Sequence, residues 1–140
     1  FVAGRDDVIG TLTPGSEGST FGGYPLASVV AVYAIKVLVE QKLAENARIR
    51  GSQLLQHFDD LKSEFPDKIK EIRGKGLLTA FEMHNEKKLD GHIVSMELMN
   101  KGVYAKETHH STVRIAPALT IESWQIDDLA EAIRDVVKNL

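Results

Sequence analysis

The segment IKEIRGKGLLTAFEM, residues 69–83, separates two helical stretches of the chain. Apolar residues lie on both sides of its central glycines, namely Ile69, Ile72, Leu77, Leu78, Phe81 and Met83. Since Gly74-Lys75-Gly76 is typical of a bulge or a tight turn, the segment predicts two short strands joined at the glycines.

Helical patterns flank this strand pair. Apolar residues at spacings of three, four and seven predict a helix from about Ala44 to Phe65, which Pro66 ends. A short helix is predicted over 91–100, with Gly102 as its left-handed cap. A last amphipathic helix is predicted from its apolar stripe of Ile126, Leu129, Ala130, Ile133, Val136, Val137 and Leu140.

Two more strands are predicted between the last two helices. They cover 103–106 and 112–116, surround a polar turn at 107–111, and end before Pro117. From residue 42 onward the order is therefore helix, strand pair, helix, strands, helix. This order is typical of a small α/β domain in which helices cover a short, mainly antiparallel sheet.

The first 41 residues have a different character. Six of the eleven glycines lie within the first 23 residues, which predicts a long loop. From Pro25 to about Glu40 the chain is apolar on almost every side and predicts a helix that is packed on all its faces. The apolar run Leu26–Val39 is shorter than the about 20 residues of a membrane helix. We expect a larger parent protein or a tight oligomer to cover it, and the start at Phe1 also suggests a longer protein.

Composition excludes several classes of protein. The 140 residues include 17 Lys+Arg and 20 Asp+Glu, for a formal charge of -3, so there is no basic excess for nucleic acid. The chain has no cysteine, which excludes a disulfide scaffold, a zinc–thiolate site and a thiol nucleophile. The absence fits a reducing compartment.

Two places could bind an anion. In the loop GSEGSTFGG, residues 15–23, glycines allow close approach of the backbone, and Ser19 and Thr20 add hydroxyl donors. Arg114 lies in a predicted strand on the face opposite Val113 and Ile115, and its planar guanidinium suits a carboxylate. The alternatives are an ordinary flexible turn for the loop and a solvated strand face for the arginine.

No metal site or nucleophile motif is predicted. His109 and His110 resemble a metal pair, but adjacent residues on an extended chain point to opposite sides. His57 and His92 are interpreted as isolated polar residues on helices. Trp124 is interpreted as a packing anchor.

Three motifs together resemble the class III, pyridoxal-phosphate-dependent aminotransferases. They are GSTFGGYPLA at 18–27, IRGKGLL at 72–78, and KETH at 106–109 followed by VRIAPAL at 113–119. The first motif identifies the class, and the other two are closest to its ornithine-specific members. The resemblance covers nearly the whole chain and corresponds to the C-terminal third of such an enzyme. It implies a fold type I transferase, with residues 1–41 ending the large cofactor-binding domain and residues 42–140 forming the small α/β domain.

The resemblance also implies roles for particular residues. Ser19 and Thr20 would reach across a homodimer interface to the phosphate of pyridoxal 5'-phosphate in the partner subunit. Arg114 would bind a substrate carboxylate, with glutamate or 2-oxoglutarate as the ligand. The implied reaction moves the side-chain amine of ornithine to 2-oxoglutarate and yields glutamate semialdehyde and glutamate. Two positions depart from the family pattern, since Glu17 replaces the usual histidine and Tyr24 the usual asparagine.

The family's Schiff-base lysine would lie before Phe1, so no catalytic residue is assigned here and the chain alone is expected to be inactive. The expected partners are small amino and oxo acids and a second subunit, with no nucleic acid and no membrane. The implied location is the cytoplasm, or the mitochondrial matrix in a eukaryote. Two alternatives remain open: a fragment of an acetylornithine or other omega-amino acid transaminase, and a non-catalytic module that binds anions or regulates a partner.

Overall fold

The structure, a computed structural model, describes residues 3–84 and 90–140. The described chain divides into two compact units, of which one ends at Val37 and the other spans Leu38–Leu140. The predicted loop from His84 to Asp90, including Glu86-Lys87-Lys88, lies mostly outside the described residues.

In the first unit a single helical turn, α1 (Asp6–Ile9), interrupts the glycine-rich segment. Arg5 precedes it in an extended conformation, and the carboxylates of Asp6 and Asp7 lie in its first turn. Negative side chains at this end favour the unpaired N–H groups of a helix. The prediction of an uninterrupted loop is therefore wrong at these four residues.

The apolar helix α2 (Pro25–Glu40) begins at the predicted proline. None of its residues is buried, and Tyr33 and Val39 are 63% and 71% exposed. The predicted bounds are correct, but the expected packing on every face is not provided by the residues that the structure describes.

The described residues of the second unit form three helices and four strands after the end of α2. In chain order they are α3 (Leu43–Glu64), β1 (Ile69–Lys75), β2 (Leu78–Met83), α4 (Gly91–Asn100), β3 (Lys106–Thr108), β4 (Thr112–Ile115) and α5 (Ser123–Asn139). The strands form one antiparallel sheet in the order β1-β2-β4-β3. The predicted small α/β fold with a short antiparallel sheet is confirmed.

A single apolar core lies between the sheet and the helices. Its centre is the edge-to-face pair of Phe58 on α3 and Phe81 on β2, whose ring centroids are 5.5 Å apart. Helices α3 and α4 contact the sheet, and α5 contacts both helices. The core also includes Leu54, Leu61, Ile69, Met83, Val94, Leu98, Val113, Ile115, Ile126 and Ile133. Because strand side chains alternate, the other face of the sheet carries the polar residues, and we call it the open face.

The turns differ in part from the prediction. Gly102 is the left-handed cap that was predicted (φ 79°), whereas the β1–β2 turn lies at Gly76 and Leu77, one step beyond the expected centre. Strand β3 spans Lys106–Thr108 instead of residues 103–106, and because it continues to Thr108 the following turn is shorter than predicted. In this turn His109 and His110 adopt left-handed φ angles of 54° and 63°. The extended backbone assumed for the two histidines is therefore wrong.

Replacing His110 with glycine is expected to stabilise the protein by about 1 kcal/mol, because a side chain in the left-handed region costs about that much. Urea unfolding followed by circular dichroism would measure the change in midpoint. His92→Gly is the matched control, since His92 lies within α4, where glycine costs about 1 kcal/mol. Equal losses in the two variants would contradict the left-handed turn.

Candidate functional site

Ser19 and Thr20 lie in two consecutive turns that lead into α2. The Gly22 N–H donates to the Ser19 carbonyl and the Tyr24 N–H donates to the Phe21 carbonyl, both at 3.2 Å. The side chains of Ser19 and Thr20 are exposed. Within the described part of the chain, neither hydroxyl makes a hydrogen bond, so both remain available to a ligand.

The donors of this loop fit a phosphate group. Besides the two hydroxyls, the loop offers the backbone N–H groups of Ser19 and Thr20 as donors. These two N–H groups have no backbone acceptor among residues 3–84 and 90–140. A Cβ added at Gly18 or Gly23 would meet nothing within 4 Å, so the loop is open to an approaching ligand. Consecutive N–H groups and hydroxyls are the donors that proteins use to hold anions. Glu17 is exposed and adds the loop's negative charge.

Arg114 lies on the open face of the second unit. Its strand neighbours Val113 and Ile115 are buried on the helix side, as the alternation predicts. The register places Arg114 opposite Ala80 on β2 and Lys106 on β3. Among the residues that the structure describes, the Arg114 guanidinium forms no ion pair or hydrogen bond. It is therefore available to a carboxylate, which it can bind through two parallel hydrogen bonds.

The β1–β2 half of the open face carries a satisfied charge network. Lys70 Nζ and an Arg73 guanidinium nitrogen donate to Glu82 at 2.6 and 3.0 Å. These two hydrogen bonds hold the pKa of Glu82 below its ordinary value, and they raise the pKa of both Lys70 and Arg73. Arg73 also lies 3.4 Å from a Glu71 oxygen and donates to Thr112 Oγ1 at 3.3 Å. The two cations and two carboxylates of this network balance, so Lys70 and Arg73 offer little attraction to a further anion.

Sequence reasoning missed this network. The alternation of Glu71 and Arg73 on one strand was a visible signal that both face the same way. What the sequence lacked was the register, which sets Arg73 opposite Ala80 and Glu71 opposite Glu82.

Two histidines and the tryptophan also differ from their interpretation. His57 Nε2 lies 2.9 Å from Asp127 Oδ1, and this contact between α3 and α5 lowers the pKa of Asp127. His92 Nδ1 lies 3.5 Å from Glu107 Oε2, so neither histidine is isolated. Trp124 is 58% exposed and its indole donates to a neighbouring carboxylate, which does not fit a packing anchor.

The fold, the Gly-Ser-Thr loop and the open-face arginine together indicate an aminotransferase. Residues 1–137 match the aminotransferase class III family, and the chain belongs to this family.

Several curated relatives carry the name ornithine aminotransferase. The mitochondrial one of Arabidopsis thaliana is 41% identical over 134 residues, which are 94% of this chain and 28% of the relative. Ornithine aminotransferase 1 of Staphylococcus saprophyticus is 39% identical over 98% of this chain and 33% of the relative. The chain thus spans about a third of the length of these relatives.

Solved structures of the family share the fold. The ornithine aminotransferase of Toxoplasma gondii gives a TM-score of 0.83 at 38% identity over 97% of this chain and 32% of that one. The acetylornithine aminotransferase of Elizabethkingia anophelis gives 0.81 at 31% identity over 97% of this chain and 34% of that one. Across the described ranges, no helix has the length and hydropathy to cross a bilayer.

Proposed function

We propose that the protein carrying this chain is a pyridoxal-phosphate-dependent ornithine transaminase. It transfers the side-chain amine of ornithine to 2-oxoglutarate and yields glutamate semialdehyde and glutamate. The observation that carries the proposal is the 41% identity to the Arabidopsis ornithine aminotransferase over 94% of the chain. The expected location is the cytoplasm, or the mitochondrial matrix in a eukaryote, and no nucleic-acid or membrane partner is expected.

Within this enzyme, residues 1–41 end the large cofactor-binding domain and residues 42–140 form the small domain. The division of the described chain near Val37 supports a boundary in this region. The uncovered apolar surface of α2 fits a helix that the rest of a homodimer covers.

Ser19 and Thr20 bind the phosphate of the cofactor held by the partner subunit. Their free hydroxyls and N–H groups support this role, since each can donate to a phosphate oxygen. The cofactor, when bound, supplies an electron sink for moving an amine between an amino acid and an oxo acid.

Arg114 binds the substrate carboxylate and thereby orients the substrate. Its exposure and lack of a partner within the described residues support this role, and a bidentate grip fixes both position and angle. We assign no catalytic residue to this chain, and we expect it not to transaminate on its own. Sequencing the coding region upstream of Phe1 tests whether the cofactor is held there, because the proposal requires a lysine in that region to hold it.

Thr20→Ala is expected to raise the dissociation constant of pyridoxal phosphate in the parent enzyme by about tenfold to a hundredfold. The reason is that a hydrogen bond to a charged group contributes about 1.5–3 kcal/mol. Equilibrium dialysis of the cofactor measures the change. Thr13→Ala is the matched control, because Thr13 lies in the same glycine-rich segment with an exposed side chain. Equal dissociation constants for pyridoxal phosphate in wild type and Thr20→Ala would show that Thr20 does not bind the cofactor.

A second candidate is an acetylornithine or other omega-amino acid transaminase. The fold match to the Elizabethkingia acetylornithine aminotransferase favours it, because its TM-score is close to that of the Toxoplasma enzyme. Side-by-side measurement of kcat/KM for ornithine and acetylornithine separates the two. A preference for acetylornithine would defeat the narrower proposal while leaving the family unchanged.

A further inference from the structure

Lys106 stands directly opposite Arg114 across the β3–β4 pair. Paired positions of an antiparallel sheet point to the same face, with Cβ atoms about 4.5–5.5 Å apart. Both side chains are exposed. Two cations therefore project side by side from the edge half of the open face.

Nothing in the described residues neutralises this pair. Lys70 and Arg73 share the carboxylate of Glu82, whereas neither Lys106 nor Arg114 has an ion-pair partner in residues 3–84 or 90–140. Glu107, the next residue along β3, cannot serve, because alternation turns its side chain to the helix side. There its carboxylate lies 3.5 Å from His92 Nδ1.

Like charges at paired positions destabilise a sheet. A bound anion removes this repulsion, so the pair is better suited to a liganded state than to an empty one. Ala80 separates Arg114 from Arg73 on the other side, since the register sets it between the two arginines. An anion at Arg114 therefore meets its second cation at Lys106 and not at the neutralised Arg73.

We propose that Lys106 is a second cationic contact for the carboxylate that Arg114 binds, an inference that rests on the proposed role of Arg114. The guanidinium supplies the planar fork and the ammonium adds a point charge from the neighbouring strand. Lys106 thus acts on substrate affinity, and it takes no part in the proton transfers of the reaction.

The test uses the cofactor-loaded parent enzyme and the variant Lys106→Gln. The KM for 2-oxoglutarate is expected to rise about tenfold with kcat within twofold, because one charged contact is lost. Lys106→Arg is expected to restore KM to within about twofold, because the charge is retained. Lys62→Gln removes the same charge from the exposed surface of α3, and it is expected to leave both the KM for 2-oxoglutarate and kcat unchanged.

A binding measurement separates this inference from the proposed function. Isothermal titration calorimetry with glutarate, a dicarboxylate that cannot accept an amine, is expected to show about tenfold weaker binding in Lys106→Gln. If glutarate binding weakens in Lys106→Gln but ornithine is not a substrate, the inference that Lys106 contacts the carboxylate is supported and the proposed function is wrong. If ornithine is transaminated while KM and glutarate binding are unchanged in Lys106→Gln, Lys106 is only a solvated side chain and the inference is overturned.

Discussion

Replacing Gly51 with alanine is expected to lower the free energy of unfolding by about 3 kcal/mol, at the upper end of what overpacking costs. Gly51 lies within α3, where the helix rests on the β1–β2 turn. A Cβ at this position would overlap the carbonyl oxygen and the carbonyl carbon of Gly76. Both atoms are backbone, so no side chain can rotate to make room. The left-handed φ of Gly76 (58°) further fixes the turn in place.

The sign of this change is diagnostic. In an isolated helix, replacing an interior glycine by alanine stabilises by about 1 kcal/mol. Urea unfolding of Gly51→Ala followed by circular dichroism therefore distinguishes the packing of α3 from its intrinsic propensity. Gly18→Ala is the control, because nothing lies within 4 Å of its added Cβ, and its stability is expected to stay within about 0.5 kcal/mol. A Gly51→Ala variant as stable as wild type would contradict the close approach of the two glycines.

Periodicity predicted α3 and α5 well because each of these two helices buries one stripe. Ile126, Ile133 and Val137 are all buried, as their spacing requires, and α4 has the predicted bounds. The contact of Gly51 with Gly76 could not be predicted from the sequence. The sequence shows a glycine in a helix, but its neighbour lies 25 residues away and is set by tertiary packing.

For the candidate site, the sequence predicted the face on which Arg114 lies but not its cross-strand partner. Alternation alone placed Arg114 on the face opposite Val113. Its pairing with Lys106 depends on the register, which the turn at His109 and His110 fixes. Because a strand was expected at 103–106, the sequence offered no reason to set Lys106 beside Arg114.

For α2, the sequence predicted the bounds of the helix but not its burial. Its bounds follow from local pattern, since Pro25 begins it and a mainly apolar run, interrupted by Ser28 and Lys36, continues it. Its environment does not follow, because burial depends on which atoms lie opposite. A helix that is apolar on almost every side is expected to be covered, and its sequence leaves open which chain supplies the cover.

Arg114→Ala is expected to raise the KM for 2-oxoglutarate in the parent enzyme by about a hundredfold, because two charge-assisted hydrogen bonds are lost together. Arg114→Lys keeps the charge and loses the fork, so an increase of about tenfold is expected. Steady-state kinetics at saturating ornithine measure both values. Arg48→Ala is the control, because Arg48 is exposed and its one ion pair within residues 3–84 and 90–140 is with Glu45 on its own helix, where such a pair contributes little.

The double variant Arg114→Ala with Lys106→Gln tests whether both cations bind the same carboxylate. If both cations hold one carboxylate, the second substitution acts on a site that the first has already emptied. The combined rise in KM is then smaller than the product of the two single effects, as expected for residues that share a partner. Strictly multiplicative effects would place Lys106 and Arg114 on separate groups of the substrate. An unchanged KM in Arg114→Ala alone would leave the arginine as part of a solvated strand face.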